Sequence, residues 1–118
     1  MTTKYILSID QSTSASKVML FDSQAHLVDR VSLAHEQFYP QPGFVEHDAG
    51  AIYRNVTAGI QEILNKHRLV RENLYCLSIT NQRETALIWD RHTGLPVARA
   101  AVWQCQRGSQ TCDSLIEK

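Results

Sequence analysis

The chemistry in this chain can begin at Asp10. Its carboxylate is followed by the hydroxyl-rich run Gln11-Ser12-Thr13-Ser14-Ala15-Ser16 and then by Lys17. A carboxylate, several hydroxyls, backbone N–H groups and an ammonium at one tip form a set able to hold a phosphate and its Mg²⁺. The same residues also make an ordinary polar hairpin turn, because serine-rich turns are common. A second set lies farther along. Arg83 and Glu84 are adjacent, and an arginine beside a carboxylate grips vicinal hydroxyls, one donating and the other accepting. Trp103 offers an apolar face for a carbon skeleton. Taken singly, Arg83-Glu84 also reads as a solvated loop and Trp103 as core.

Other chemical residue types point to structure. In Gly43-Phe44-Val45-Glu46-His47-Asp48, Asp48 is placed to cap a following helix, and Glu46 favours the same helix end through its dipole. No second His/Asp cluster sits nearby in the sequence to complete a metal site. The three cysteines, Cys76, Cys105 and Cys112, match no zinc spacing and are read as reduced, small, partly buried side chains.

The elements that would position these groups follow from periodicity. Two apolar, β-type runs, strand one at Tyr5–Asp10 and strand two at Lys17–Asp22, flank the hydroxyl-rich segment, which is too short for a helix and reads as a hairpin turn. Ser23 to His26 makes a second turn, and Leu27–Leu33 alternates as a third, antiparallel strand. Pro40, Pro42 and Gly43 exclude a helix between His35 and Asp48 and are expected to disrupt any ladder there. From Ala49 to His67 the period is helical, with Ile52, Val56, Ile60, Ile63 and Leu64 on one stripe. Gly59 inside that helix is expected to permit close packing on the sheet. Leu74–Thr80 reads as a largely buried strand, parallel to strand one through a right-handed crossover. Ala86–Asp90 and Pro96–Val102 read as short strands around a turn at Arg91–Gly94, and a helix is expected to begin near Gly108 and run to Lys118.

In such sheets, ligands bind beyond the carboxyl ends of parallel strands, so Asp10 and Asn81–Glu84 are expected on one rim. The bulk numbers exclude other classes. The chain has 118 residues, one domain or a piece of one, with 43% hydrophobic and 20% charged residues and a formal net charge of zero. That balance argues against a nucleic-acid binder with a broad basic face. No apolar run approaches the roughly 20 residues that span a bilayer. Met1-Thr2-Thr3-Lys4 leads directly into a strand-like run without a signal peptide's apolar region, so a cytoplasmic protein is expected.

Four stretches then carry a resemblance, in order and over nearly the whole chain: Ile9-Asp10-Gln11-Ser12-Thr13-Ser14, Pro42 to Asp48, Ile79-Thr80-Asn81-Gln82-Arg83-Glu84-Thr85, and Val102-Trp103-Gln104-Cys105-Gln106-Arg107. Together they resemble the N-terminal part of the FGGY family of carbohydrate kinases, most closely its glycerol-phosphorylating branch. The resemblance implies an α/β fold, the ribonuclease-H-like (actin/hexokinase-like ATPase) mixed sheet, with an antiparallel three-strand start, a crossover helix and further strands. It implies that residues 1–118 are the N-terminal part of the first kinase domain, an incomplete domain, with the second domain absent. By motif, Asp10 resembles the acidic residue near the Mg²⁺ of Mg-ATP, Thr13 and Ser14 resemble the phosphate-loop hydroxyls, and Lys17 resembles the basic residue at the loop's end. Arg83, Glu84 and Trp103 resemble the glycerol-binding set.

The implied reaction is transfer of the γ-phosphoryl group of ATP to a terminal hydroxyl of glycerol, with a pentulose such as xylulose or another polyol as the alternative acceptor. Catalysis would rest on positioning and charge neutralisation, with a carboxylate base accepting the hydroxyl proton. The family's base aspartate, a substrate-contacting tyrosine and the adenosine-binding domain are implied beyond Lys118, so the isolated chain is expected to be inactive. A homo-oligomer is implied for the full-length protein. Ser12 stands where the family usually has glycine, which would permit positive φ and close approach of a phosphate. Lys17 replaces a more usual arginine, keeping the charge but losing bidentate geometry. Rival classes are a non-catalytic actin-like module, which needs no polyol site, and a two-metal nuclease, which needs more clustered carboxylates than Asp10 provides.

Overall fold

The computed structural model describes residues 3–117. Met1 and Thr2, read as an uncleaved start, and Lys118, the end of the expected last helix, lie outside the described residues. In chain order the elements are β1 (Tyr5–Gln11), β2 (Ala15–Phe21), β3 (Leu27–Ala34), β4 (Gln37–Phe38), β5 (Glu46–His47), α1 (Ala49–Lys66), β6 (Leu74–Thr80), β7 (Ala100–Ala101) and α2 (Ser109–Ile116). They divide into two compact units. The first comprises the residues up to His35 together with Ala51–Gln82, and the second comprises Glu36–Gly50 and the chain from Arg83 onward.

The first unit is a four-stranded sheet in the order β3-β2-β1-β6. β1 is antiparallel to β2 and parallel to β6, and β2 is antiparallel to β3. The alternation of side chains explains its core. Leu7 and Ile9 of β1 stand opposite Leu20 and Val18 of β2, so these apolar pairs fall on one face of the sheet. Helix α1 covers that face, with Ile63 fully buried and Val56 and Ile60 packed against the cluster. Gly59 lies close against β2: a Cβ there would lie 2.8 Å from Val18 Cγ2. The close packing expected from the sequence is therefore present.

Local chemistry ends the helix at both sides. The Gly50 N–H donates to Asp48 Oδ1 at 2.8 Å, the cap expected of Asp48. Arg68 takes the left-handed conformation, φ 52°, while Leu69 N–H reaches back to the Leu64 carbonyl at 2.9 Å. Two further ties hold α1 to β3. Asn55 Nδ2 donates to the Ala34 carbonyl at 2.9 Å. Asp29 Oδ2 receives both Lys66 Nζ at 2.8 Å and His67 Nε2 at 2.7 Å.

Strand β6 departs from expectation. Only Leu74 and its preceding residue are partly buried, and the remainder of the strand is exposed, with Tyr75 at 77% and Ile79 at 67%. Its largely apolar run is the pattern of a strand covered on both faces, but the core cluster draws on β1, β2, β3 and α1, and of β6 only Leu74 packs against it.

In the second unit, β4 pairs with β5 and β5 with β7, joining Phe38 to Glu46 and His47 to Ala100. The prolines do not prevent this ladder. Pro40 and Pro42 sit in the β4–β5 connection, where no ladder N–H is required. Of the expected strands Ala86–Asp90 and Pro96–Val102, β7 at Ala100–Ala101 is the regular part, and the rest forms an irregular hairpin. Ala86 and Ala101 exchange two backbone bonds of 2.9 Å, and beyond them single bonds join Val97 to Ile88 and Asp90 to Leu95. Pro96 has no N–H to give, and Asp90 Oδ1 takes the backbone N–H groups of His92 and Thr93, which folds the chain into a turn. Val102, Ala100 and His47 are buried.

Candidate functional site

The site is built first from β1. Asp10 is the penultimate residue of β1 and pairs across the ladder with Lys17 of β2. Its Oδ2 lies 3.7 Å from Lys17 Nζ, with the side chains 34% and 38% exposed. This loose, solvent-accessible pair leaves the carboxylate open to another ligand. Strand two, expected from Lys17, begins at Ala15, so Lys17 lies inside β2 and the turn shortens to Ser12-Thr13-Ser14.

Ser12 closes that turn. Both its N–H and its Oγ donate to the Ala15 carbonyl at 2.9 Å. Ser12 is not among the residues with positive φ, so serine carries no backbone strain where glycine is usual. Thr13 is half-buried and Ser14 exposed. On the other side, Asp10 is in register with Thr80, so β1 and β6 end at one rim. There Gln82 Nε2 donates to Gln11 Oε1 at 3.1 Å and to the Ser12 carbonyl at 3.2 Å.

The remaining candidates belong to the second unit. Arg83 and Glu84 are exposed. Glu84 has φ 67°, a left-handed backbone that costs a non-glycine residue about 1–2 kcal/mol. Thr85 Oγ1 accepts the Trp103 N–H at 3.2 Å, and the Ala86–Ala101 pair follows. These bonds bring the backbone after Glu84 beside Trp103, a residue 51% exposed.

Some side-chain pairings were not visible in the sequence. Glu46, expected to favour the helix end, pairs with arginines: its carboxylate accepts from Arg107 Nη2 at 2.8 Å and lies 4.0 Å from Arg99 Nη1. The Arg107 guanidinium stands 4.4 Å over the Phe44 ring, and Arg99 stands 3.6 Å over Phe38. Arg107 Nε also donates to Cys105 Sγ at 2.9 Å. Burial alone would raise the Cys105 thiol, but hydrogen bonds from Val45 and Arg107 outweigh it and hold the thiol below its ordinary value. Of the cysteines only Cys105 is partly buried; Cys76 and Cys112 are exposed. His35 was also missed: its Nε2 lies 2.9 Å from the Thr13 carbonyl. The co-occurrence of Phe44, Glu46, Cys105 and Arg107 in two of the quoted motifs is the only sequence signal for the first cluster.

Among the described residues, no group of three or more His, Cys, Asp or Glu side chains could hold a metal ion, and no helix is long and apolar enough to cross a membrane. Residues 5–118 match the N-terminal domain of the FGGY family of carbohydrate kinases. The chain is 43% identical to glycerol kinase 1 of Thermotoga maritima over 97% of its own length and 23% of that protein's. It is 45% identical to glycerol kinase of Halorhodospira halophila over 98% of its length and 23% of that protein's. It spans less than a quarter of the relatives it matches. Among solved structures, Plasmodium falciparum glycerol kinase with ADP superposes with a TM-score of 0.89 at 35% identity, covering 99% of this chain and 24% of that one. Gluconate kinase of Lactobacillus acidophilus, at 21% identity and a TM-score of 0.87 over 98% of this chain and 23% of that one, shares the fold. The order β1-β2-β3-α1-β6 is the start of the actin-like ATPase fold, and the chain belongs to the FGGY family of carbohydrate kinases.

Proposed function

We propose that this chain supplies the phosphate-side rim of an ATP-dependent glycerol kinase and is the N-terminal part of its first domain. The observation that carries the reading is the juxtaposition of the Asp10–Lys17 pair with the hydroxyl turn at the carboxyl end of β1. Mg²⁺ is commonly held by one or two carboxylates, waters and substrate phosphates rather than by an all-protein cage. A lone, half-exposed Asp10 suits that arrangement. When bound, Mg-ATP supplies the transferable γ-phosphoryl group and the cation that neutralises its charge. Asp10 anchors the cation side, directly or through water. Thr13 and Ser14 donate to phosphate oxygens, and Lys17 adds a positive charge behind them. Arg83 and Glu84 hold the acceptor's hydroxyls, and Trp103 packs against its carbons.

The similarity to glycerol kinases at 43% and 45% identity supports glycerol as acceptor. ATP as donor goes with a cytoplasmic enzyme, and a homo-oligomer is proposed for the full-length protein. The base that takes the acceptor's proton is assigned to the second part of such an enzyme, so the 118-residue chain alone is proposed to be inactive.

The test is a coupled ADP-release assay on the full-length protein with glycerol, xylulose and other polyols. Glycerol turnover that collapses in Arg83→Ala and Trp103→Ala supports the reading. Turnover of a ketopentose without glycerol refutes the acceptor. ATP-dependent phosphorylation by the 118-residue chain alone refutes its inactivity.

A further inference from the structure

The turn between β1 and β2 presents three consecutive backbone carbonyls, and each has a donor from the first unit. The Ser12 carbonyl accepts from Gln11 Nε2 at 2.8 Å and from Gln82 Nε2 at 3.2 Å. The Thr13 carbonyl lies 2.9 Å from His35 Nε2. The Ser14 carbonyl accepts the His35 N–H at 3.3 Å. A carbonyl only accepts, so Nε2 of His35 carries a proton.

The two anchors come from opposite sides of the turn. His35 is the first residue after β3, and Gln82 is the second after β6, the two outer strands of the sheet. A turn that binds an anion does so through N–H groups and hydroxyls, whereas its carbonyl oxygens carry the wrong sign and repel a phosphate. We propose that His35 and Gln82 are positioning residues that hold the carbonyl ends of the Ser12–Ser14 peptides against the fold, so that Thr13 and Ser14 present their donors to a nucleotide phosphate. This rests on the reading of the turn as the phosphate side of the site. Neither residue touches the transferred group. Each fixes the orientation of peptides that do.

The variant His35→Phe keeps a ring and loses the Nε2 donor, and His35→Gln restores an amide N–H. In the full-length kinase, losing one such bond is expected to raise the KM for ATP and weaken ADP binding about fivefold, with the KM for glycerol and the Tm unchanged. His35→Gln should return ADP affinity to within about twofold of wild type, and Gln82→Leu should repeat the His35→Phe effect through the Ser12 carbonyl. ADP affinity by calorimetry gives a readout independent of turnover.

Unchanged ADP affinity in both His35→Phe and Gln82→Leu overturns the proposal. So does a fall in Tm accompanied by a rise in both substrates' KM values, which marks a fold-wide role. Asp10→Asn and Lys17→Met separate the two levels. If these bind ADP like wild type, the phosphate reading itself falls. If they lose ADP while His35→Phe and Gln82→Leu keep it, only the positioning assignment falls.

Discussion

Gly59 of α1 and Val18 of β2 meet so closely that a methyl group on the glycine would stand 2.8 Å from Val18 Cγ2. Val18 is 1% exposed and β-branched, so it has little freedom to turn aside. An alanine in a helix interior normally gains about 1 kcal/mol over glycine. Here overpacking costs typically about 1–3 kcal/mol and wins. Gly59→Ala is expected to lower the urea midpoint. Val18→Ala in the same chain should offset part of that loss, and additive effects in the double-mutant cycle would contradict the contact.

Asp29 joins β3 to the end of α1. Hydrogen bonds from Lys66 first, and from His67 next, hold its carboxyl well below the ordinary 3.8 in the folded protein. A depressed folded value gives stability that is fully present above the unfolded value and disappears as pH falls through the folded one. Asp29→Asn should therefore lower the Tm at pH 6, and the gap to wild type should narrow as pH drops from about 4 toward 2. A gap of constant size across that range would show that the ionised carboxylate is not what matters.

Arg107 lies against Cys105 Sγ and helps hold that thiol below its ordinary value. Thiolate is the form that reacts. In a Cys76→Ser, Cys112→Ser background, Arg107→Met should slow alkylation of Cys105 by iodoacetamide at pH 7.5, and the difference should shrink at alkaline pH. A faster reaction in the variant would mean that access, and not charge, governs this cysteine.

Lys17 faces Asp10 across the β1–β2 ladder. In the full-length enzyme, Lys17→Met should raise the KM for ATP about tenfold, the loss expected of a charged hydrogen bond. Lys17→Arg should retain most of the affinity, since the charge is kept. Equal values for Lys17→Met and wild type would remove Lys17 from the nucleotide site.

The first unit was legible because its signals are strong and local. Alternation in β1, β2 and β3 and the helical stripe of α1 each speak within a few residues. The second unit was not, because two-residue strands such as Gln37–Phe38 and Glu46–His47 carry no period. Arg107 and Glu46 are 61 residues apart, and no local pattern announces their pairing. At the candidate site, the positions of Asp10, Thr13 and Ser14 at the end of β1 were readable from residue type. Lys17 moves from the first position of strand two to its third, because the ladder closes more tightly than a hydroxyl-rich segment suggests. His35 and Gln82 carry no motif of their own, as their role depends on backbone carbonyls that a sequence does not display.

The parallel register of Asp10 with Thr80 sets an order of assembly. β1, β2 and β3 are joined by short turns and can pair on the microsecond scale of hairpins. β6 cannot join β1 until the intervening chain, including α1, has crossed over, and that closure carries a higher entropic cost than the hairpins. The hydroxyl turn is then made early, and its second wall late. Mutations in the β1–β2 hairpin should slow folding, whereas those at the β1–β6 contact should chiefly speed unfolding. The proposed phosphate rim would thus be half built by local hairpin pairing and completed by a slower, non-local contact.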